Sequence, residues 1–403
     1  MSLNKNKTLV FEYVNQQLLF NGHSILSNPQ VLNYTEPFFL YDLNLIQQRL
    51  NWINEWTKLG RLHFAMKSNY NEDILKLIQK NGCGVDVVSF GEIQLALKCG
   101  FKSKDILFSG VGKTKSEIHW AVQNQIYQIN VESISELKRV QDISNQLKLE
   151  INIGIRLNPE IDAKTHPNIA TALIDSKFGL NISDLPEALN ILKNSNYICF
   201  KALSFHIGSQ VMDVNIFADA IEKIKPIYIN LQQKFKSLDR FDLGGGLGLD
   251  YTNHDLENDY ENWQKLKAIY EQNLKEIKAV FLIEMGRFIV ARSAVLVAQV
   301  QYIKKTQNTE IAILDVGMNN LMRPMLYQAY HQIFSLIMRQ SQNQQKKYSV
   351  VGPLCESSDV FHKEILLSEL RENDFVVIAD VGAYAKSMSS NYNLQPIAKD
   401  YFF

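Results

Sequence analysis

The stretch LHFAMKSNYNEDILKLIQKNGCGVDVVSFGEIQLALKCGFKSKDILFSGVGKTKSEIHWAVQNQIYQINVE, residues 62–132, is where the chain declares its fold. Short apolar, β-rich runs at 62–67, 85–89, 106–110 and 127–132 alternate with segments at 72–81, 91–99 and 116–124 whose apolar residues recur at helical spacing. Strands separated by crossover helices predict a parallel sheet covered on both faces. The alternation continues with helices at 133–146, 186–193 and 218–235 and strands at 151–157, 202–208, 241–245 and 280–284. Eight strands between residues 62 and 286 match an α/β fold of the (β/α)₈ TIM barrel type, which takes about 250 residues. A doubly wound open sheet is the competing topology.

Beyond Arg287 the pattern changes. Runs at 294–303, 311–316, 348–352, 364–367 and 375–381 follow one another without crossover helices, which predicts a C-terminal antiparallel β domain. Residues 8–20 are also strand-like and are assigned to it. The expected division is 35–286 for the barrel, and 1–34 with 287–403 for the β domain. The polar run RQSQNQQKK, 339–347, reads as an exposed loop. A chain of 403 residues suits two domains at about 100–200 residues each.

The 42 basic and 42 acidic side chains leave no net field to attract nucleic acid or an anionic membrane, so the expected partner is a small molecule. Cysteine stands only at 83, 99, 199 and 355, without CxxC spacing, which argues against zinc ribbons and disulfide frameworks and fits a reducing compartment. With no apolar leader in residues 1–10 and no run of about 18 apolar residues, the expected location is the cytoplasm. The eight histidines show no ligand spacing, so no metal is expected.

In a (β/α)₈ barrel the chemistry collects at the C-terminal ends of the strands. Those ends supply Lys67, Ser89, Gly110, Arg156, His206, Gly208, Ser209, Gly244, Gly245, Gly246, Glu284, Gly286 and Arg287. The set meets the needs of pyridoxal 5′-phosphate (PLP): a lysine to bond its aldehyde, a charge partner for its pyridine nitrogen, and amides with cations for its phosphate. Lys67 ends the run HFAMK, where burial would favour the neutral amine, unless the side chain simply reaches out to solvent. Gly244–Gly246 would let amides approach an anion or form a barrel corner. Leu249 in place of a third spaced glycine removes the dinucleotide fingerprint, and Leu107 in place of a glycine removes a P-loop reading of GVGKT, 110–114. Glu284 closes an apolar strand and calls for a cation, either a pyridinium or Arg287. His206 would stack on a ring or make an ordinary hydrogen bond. In the second domain, GPLCESSD at 352–359 sets Cys355 among carboxylates, making it the candidate acid, while Cys83 and Cys99 read as small core residues.

Taken in order, FAMKSN, FSGVGKT, FHIGSQ, DLGGGLG, EMGR, CESSD and GAY resemble the fold-type III PLP-dependent decarboxylases, from about Phe38 to Ala398. NPEIDAKTH (158–166), SKFG (176–179), GMNNLMRPMLYQAYH (317–331) and SMSSNYN (387–393) are similar to the branch acting on diaminopimelate. The resemblance implies an alanine racemase-like barrel in which Lys67 bonds the cofactor, His206 stacks on its ring and Glu284 pairs with its nitrogen. It implies that Ser209, Gly245, Gly246, Gly286, Arg287 and Tyr384 hold the phosphate. It also implies a homodimer with shared active sites, Cys355 and Glu356 reaching into the partner's site and Cys355 serving as the acid. The distal amino-acid head of diaminopimelate needs donors for its carboxylate, assigned to Arg287, Arg323 and Tyr327, and acceptors for its ammonium, assigned to Glu356 and Tyr384. The expected reaction is decarboxylation of meso-2,6-diaminopimelate to L-lysine and carbon dioxide. The alternatives are ornithine, lysine or a carrier-linked amino acid as substrate, or an inactive regulator on the same scaffold. Where the family commonly shows EPGR and CESGD, this chain has Met285 and Ser358.

Overall fold

The computed structural model describes residues 9–56, 60–162, 176–339 and 345–403. They form two compact units, one of Leu50–Leu249 with Glu261–Phe288, the other of Met1–Arg49, Asp250–Tyr260 and Ile289–Phe403.

The first unit is a closed barrel of eight parallel strands: Gly60–Ala65, Gly84–Val87, Ile106–Phe108, Gln128–Val131, Ile151–Leu157, Ile198–Phe205, Arg240–Asp242 and Val280–Met285. All eight expected strands are present in chain order. The eighth pairs with the first, Glu284 opposite His63 and Leu282 opposite Arg61, which excludes the open sheet. Three of the strand-to-helix turns use one device. Ser89 accepts the amide of Glu92 at 3.3 Å, Thr114 that of Glu117 at 3.3 Å, and Ser133 that of Glu136 at 3.2 Å. The spacing S/T-x-x-E thus starts the helices Phe90–Lys98, Lys115–Gln123 and Ile134–Leu147, each glutamate also sitting at the positive end of a helix dipole. Ser89 is therefore a helix cap rather than a ligand-binding strand end. Two helices outside the expected set, Leu43–Asn54 and Leu256–Leu274, also belong to the fold, and Trp263 of the latter donates its indole N–H to Trp52 O at 2.9 Å.

Several strands stop short of their expected ends. The first ends at Ala65, and Lys67 lies in a 3₁₀ turn, Met66–Ser68, tied back by Ser68 Oγ donating to Ala65 O at 2.7 Å. The sixth ends at Phe205, leaving His206 to Ser209 in the following loop.

The second unit holds a sheet ordered Ile333–Ser335, Phe375–Ile378, Ala294–Lys305, Glu310–Leu314, Lys346–Val351, Val360–Leu367. The strand Phe38–Tyr41 pairs with Ala294–Lys305 on one side and Lys399–Phe402 on the other. The sheet is mixed rather than purely antiparallel: Glu310–Leu314 runs parallel to Lys346–Val351, and Lys399–Phe402 parallel to Phe38–Tyr41. Parallel neighbours need a long return path, and the chain supplies one between residues 314 and 346, including the short helix Arg323–Tyr327. Of the polar run 339–347, residues 340–344 lie outside the described residues, and Lys346 and Lys347 open a strand instead of a loop. The end of NPEIDAKTH, from residue 163, also lies outside them.

Arg292 ties the 250–260 segment into this unit. Its guanidinium donates to the carbonyls of Asp250 at 2.8 Å and Asn253 at 2.6 Å, and pairs with Asp259 at 3.0 Å and Asp380 at 2.6 Å. Arg49 adds a second buried guanidinium on Asp259.

Candidate active site

Three carboxylates from three strands stand in the upper barrel: Asp86, Asp242 and Glu284, all buried. Burial raises all three above the usual carboxylate range, Asp242 to about 6; the charge of Asp86 adds to the rise on Asp242, those of Asp242 and Asp86 to that on Glu284, and that of Glu132 to that on Asp86. Lys67 and Arg156 act against that rise on Asp86 and Glu284. Neither carboxylate oxygen of Asp86, nor Oδ2 of Asp242, has a hydrogen-bond donor among the described residues. Such an acidic pocket requires a cation, and Lys67 is one: Nζ lies 3.9 Å from Asp86 Oδ2. The lysine is 40% exposed, so it is not the buried amine its strand suggested; the 3₁₀ turn lifts it to the mouth, over a carboxylate that is itself dry.

The glycine run follows the seventh strand directly. Gly244 has φ +64° and Gly246 φ +120°, conformations that L side chains rarely adopt. At Gly245 the constraint is space, since a Cβ would lie 1.8 Å from the carbonyl oxygen of Glu284. Asp242 Oδ1 accepts the amide of Gly244 at 3.0 Å, and Gly244 O accepts that of Glu284 at 2.6 Å. The amide of Gly245 donates to Nδ1 of His206 at 3.1 Å. With Nδ1 an acceptor, the ring carries its proton on Nε2, and burial together with the cations Arg156 and Lys67 holds His206 well below its ordinary pKa. It is a neutral aromatic ring. Arg287 donates to Ser209 Oγ from Nη2 at 2.8 Å and from Nε at 3.3 Å, joining the loops after the sixth and eighth strands. Gly286 is held close to the lysine turn, where a Cβ would meet Ser68 Oγ at 2.7 Å. Met285 is the buried last residue of its strand.

Sequence reasoning missed Asp86, Asp242, Asn130 and Glu132. Asp242 stood beside the glycine run, and Asp86 interrupts the apolar run GVDVV, a signal of the kind that singled out Glu284. Glu132 accepts the amides of Gly110 at 2.9 Å and Gly179 at 3.1 Å and pairs with Arg156 at 3.3 Å, so one carboxylate holds two loops and a strand-end cation. Lys113 of GVGKT turns inward and pairs with Glu136 at 2.7 Å, a structural use of that lysine.

The second unit carries the remaining candidates. Cys355 is exposed, its amide donating to Asn393 Oδ1 at 3.2 Å. Glu356 accepts the Tyr392 hydroxyl at 2.5 Å. Asp359 is buried and shapes this turn, accepting the amides of Met318 at 2.7 Å and Leu354 at 2.9 Å. Ser358 takes no positive φ, so a side chain is tolerated there without strain. Arg323 is buried, with Nη1 2.6 Å from His331 Nε2 and its guanidinium 4.7 Å over the ring of Tyr251. Tyr327 ends the helix that Arg323 begins, and Tyr384 sits at φ +61°, an unusual conformation for a tyrosine. Cys83 and Cys99 are core residues, burial pushing the Cys83 thiol up to about 12.

Residues 43–291 match the family model of the pyridoxal-dependent decarboxylase pyridoxal-binding domain. The chain is 41% identical over 366 residues to a diaminopimelate decarboxylase of Helicobacter pylori strain J99, covering 90% of this chain and 89% of that one. It is 34% identical over 402 residues to the enzyme of that name from Aquifex aeolicus, covering 99% and 94%. Among solved structures, Helicobacter pylori diaminopimelate decarboxylase complexed with L-lysine superposes with a TM-score of 0.86 at 39% identity over 92% of each chain. A lysine/ornithine decarboxylase from Vibrio vulnificus, at 21% identity and TM-score 0.80, shares the fold. With a lysine over a buried acid, a neutral histidine ring and a glycine-lined corner in the matched domain, the chain belongs to the PLP-dependent decarboxylases and, within them, to the diaminopimelate decarboxylase family.

Proposed function

We propose that this chain removes one carboxylate of meso-2,6-diaminopimelate with PLP as cofactor, releasing carbon dioxide and leaving L-lysine. The observation that carries the reading is the group of dry carboxylates around Glu284, set beside a half-exposed lysine in a barrel of this family. The site suits the cofactor by the chemistry of its donors. Glu284 is a buried acid that a protonated pyridine nitrogen would neutralise, and the backbone at Gly244–Gly246 has no room for side chains. When bound, PLP supplies the electron sink that accepts the pair left on Cα as carbon dioxide departs.

The chain's own residues do the rest. Lys67 is the amine that would hold the cofactor's aldehyde, at the position where the substrate's amino group would be taken up. Glu284 would hold the protonated pyridine nitrogen, and the neutral ring of His206 would pack against the cofactor's ring. Arg287, set by Ser209, and the amides at Gly246 and Gly286 would hold the phosphate, with Tyr384, whereas the N–H of Gly245, expected to join them, is taken by Nδ1 of His206. Cys355 Sγ–H then delivers the proton that replaces the lost carboxylate on Cα. For the distal head of the substrate, Arg287, Arg323 and Tyr327 take the carboxylate, and Glu356 and Tyr384 the ammonium. We place Cys355 and Glu356 in the site of a second copy of the chain, as a homodimer with shared sites, and the enzyme in the cytoplasm. Among the described residues no helix is long and apolar enough to cross a membrane.

The deciding assay is carbon dioxide release from meso-diaminopimelate, ornithine, lysine and arginine by purified protein with PLP. Release from meso-diaminopimelate alone is expected, with loss of turnover in Lys67→Ala. Equal turnover of ornithine, or an active Lys67→Ala protein, defeats the assignment.

A further inference from the structure

The barrel interior carries a line of polar side chains below the acids. On the strand Gln128–Val131, Gln128 and Asn130 share one face by the two-residue period of a strand. Both are fully or almost fully buried, so their amides must be paired within the protein. Arg240, at the start of the seventh strand, donates from Nη1 to Gln128 Oε1 and to the carbonyl of Tyr127, each at 3.1 Å. Its guanidinium also lies 3.9 Å over the Tyr127 ring. Gln128 Nε2 donates to Asn130 Oδ1 at 2.7 Å. Asn130 Nδ2 donates to Ser109 Oγ at 3.1 Å and to Glu284 Oε1 at 3.4 Å.

The direction of this chain follows from its first member. A guanidinium has only donors, so Gln128 must turn its oxygen to Arg240 and its NH₂ to Asn130. Asn130 must then turn its oxygen to Gln128 and its own NH₂ to Glu284. The fold makes room for the pair: at Gly154, in the middle of the fifth strand, a Cβ would lie 2.5 Å from Asn130 Oδ1 and 2.6 Å from Gln128 Nε2. A glycine inside a strand weakens it, and the two amides are what this one accommodates.

We propose that Gln128 and Asn130 are positioning residues, a one-way donor chain anchored on Arg240 that keeps the Glu284 carboxylate ionised and aimed at the cofactor's pyridine nitrogen. The inference rests on reading Glu284 as that nitrogen's partner. Burial and the charges of Asp242 and Asp86 press Glu284 toward its neutral form, while Lys67 and Arg156 oppose them. A hydrogen bond donated to the ionised form adds to the opposing side. A neutral glutamic acid would lack the charge that holds a pyridinium.

The test is PLP binding to the apoprotein, read as a dissociation constant and as the visible absorbance band of the bound form. The variants are Glu284→Gln, Asn130→Leu, Gln128→Glu and the doubles with Glu284→Gln. Gln128→Glu conserves shape and pairs with Arg240, yet the new carboxylate has no donor for Asn130, which then turns its oxygen toward Glu284. Asn130→Leu and Gln128→Glu are each expected to weaken binding about tenfold, the scale of a hydrogen bond to a charged group, and to shift the band. In the Glu284→Gln background either change should add less than about twofold, because its route of action is gone. Effects that multiply fully in the doubles, or a Gln128→Glu protein with unaltered affinity and band, would overturn the relay while leaving Glu284's own role intact. Undiminished binding by Glu284→Gln would remove the reading beneath it. Should Asn130→Leu not fold, the near-isosteric Gln128→Glu cycle decides the question alone.

Discussion

A carboxyl group whose folded pKa lies above its unfolded one binds a proton that the unfolded chain has released, so it destabilises the fold as pH rises through that window. Asp242 is such a group, raised from an ordinary 3.8 to about 6 by burial and by Asp86. In the apoprotein, stability should therefore fall between about pH 4 and pH 6 and stay low above it. Asp242→Asn should be more stable than the unaltered apoprotein at pH 7 by about 3 kcal/mol, with the difference vanishing near pH 3, as measured by urea unfolding across pH. An Asp242→Asn apoprotein less stable than the original at pH 7 would show that the carboxylate is compensated there. Asp242 follows an arginine and a phenylalanine in a three-residue strand and looks unremarkable as sequence. Pairing of the seventh strand with the eighth sets it near Glu284, and closure of the barrel brings both near Asp86.

At the level of elements, the strand-to-loop corners depend on a few glycines for different reasons. Gly245→Ala would drive a methyl group into the Glu284 carbonyl, 1.8 Å away, with backbone on both sides unable to yield. A loss of about 3 kcal/mol or more in unfolding free energy, or failure to fold, is expected, the scale of severe overpacking. Gly112→Ala is the control: nothing lies within 4 Å of its Cβ position and its φ is unexceptional. It should be neutral or stabilising by about 0.5 kcal/mol, through the unfolded state. Equal destabilisation by both variants would sink the steric account. Much of the element level was legible in advance. The S/T-x-x-E caps fall where the helical spacing begins, and the β-rich runs mark all eight barrel strands because their outward residues must pack under helices. Their inward residues were harder to read. Gln128 and Asn130 face the barrel axis rather than solvent, and a polar residue in a strand looks the same in either position.

For the whole molecule, the proposed homodimer makes a sharp prediction. If Lys67 and Cys355 of each site come from different copies, Lys67→Ala and Cys355→Ala chains, both inactive alone, should recover about a quarter of full activity when mixed and allowed to exchange, because half the dimers are mixed and hold one intact site. No recovery, with exchange verified by mass, would place both residues in one chain's site. The second unit has its own point of failure in Arg292, which carries Asp259 and Asp380 and the backbone of the 250–260 segment. Arg292→Met should cost about 3–5 kcal/mol of stability, since it leaves two buried carboxylates short of their partner. Chemical denaturation would register this.

Periodicity, caps and ordered motifs are local properties of the chain, and they were enough to determine the eight alternating strand and helix units, the change to β structure after Arg287, the family, and the identity of Lys67, His206, Glu284 and Arg287 as residues to examine. Closure of the sheet, the two parallel pairings in the second unit, the lift of Lys67 out of its strand, and the meeting of Asp86, Asp242 and Glu284 were decided by tertiary structure. These depend on which residues face one another across the barrel, and on how far burial separates them from water. Both are set by pairings between residues distant in sequence, to which a local pattern of polar and apolar side chains is blind.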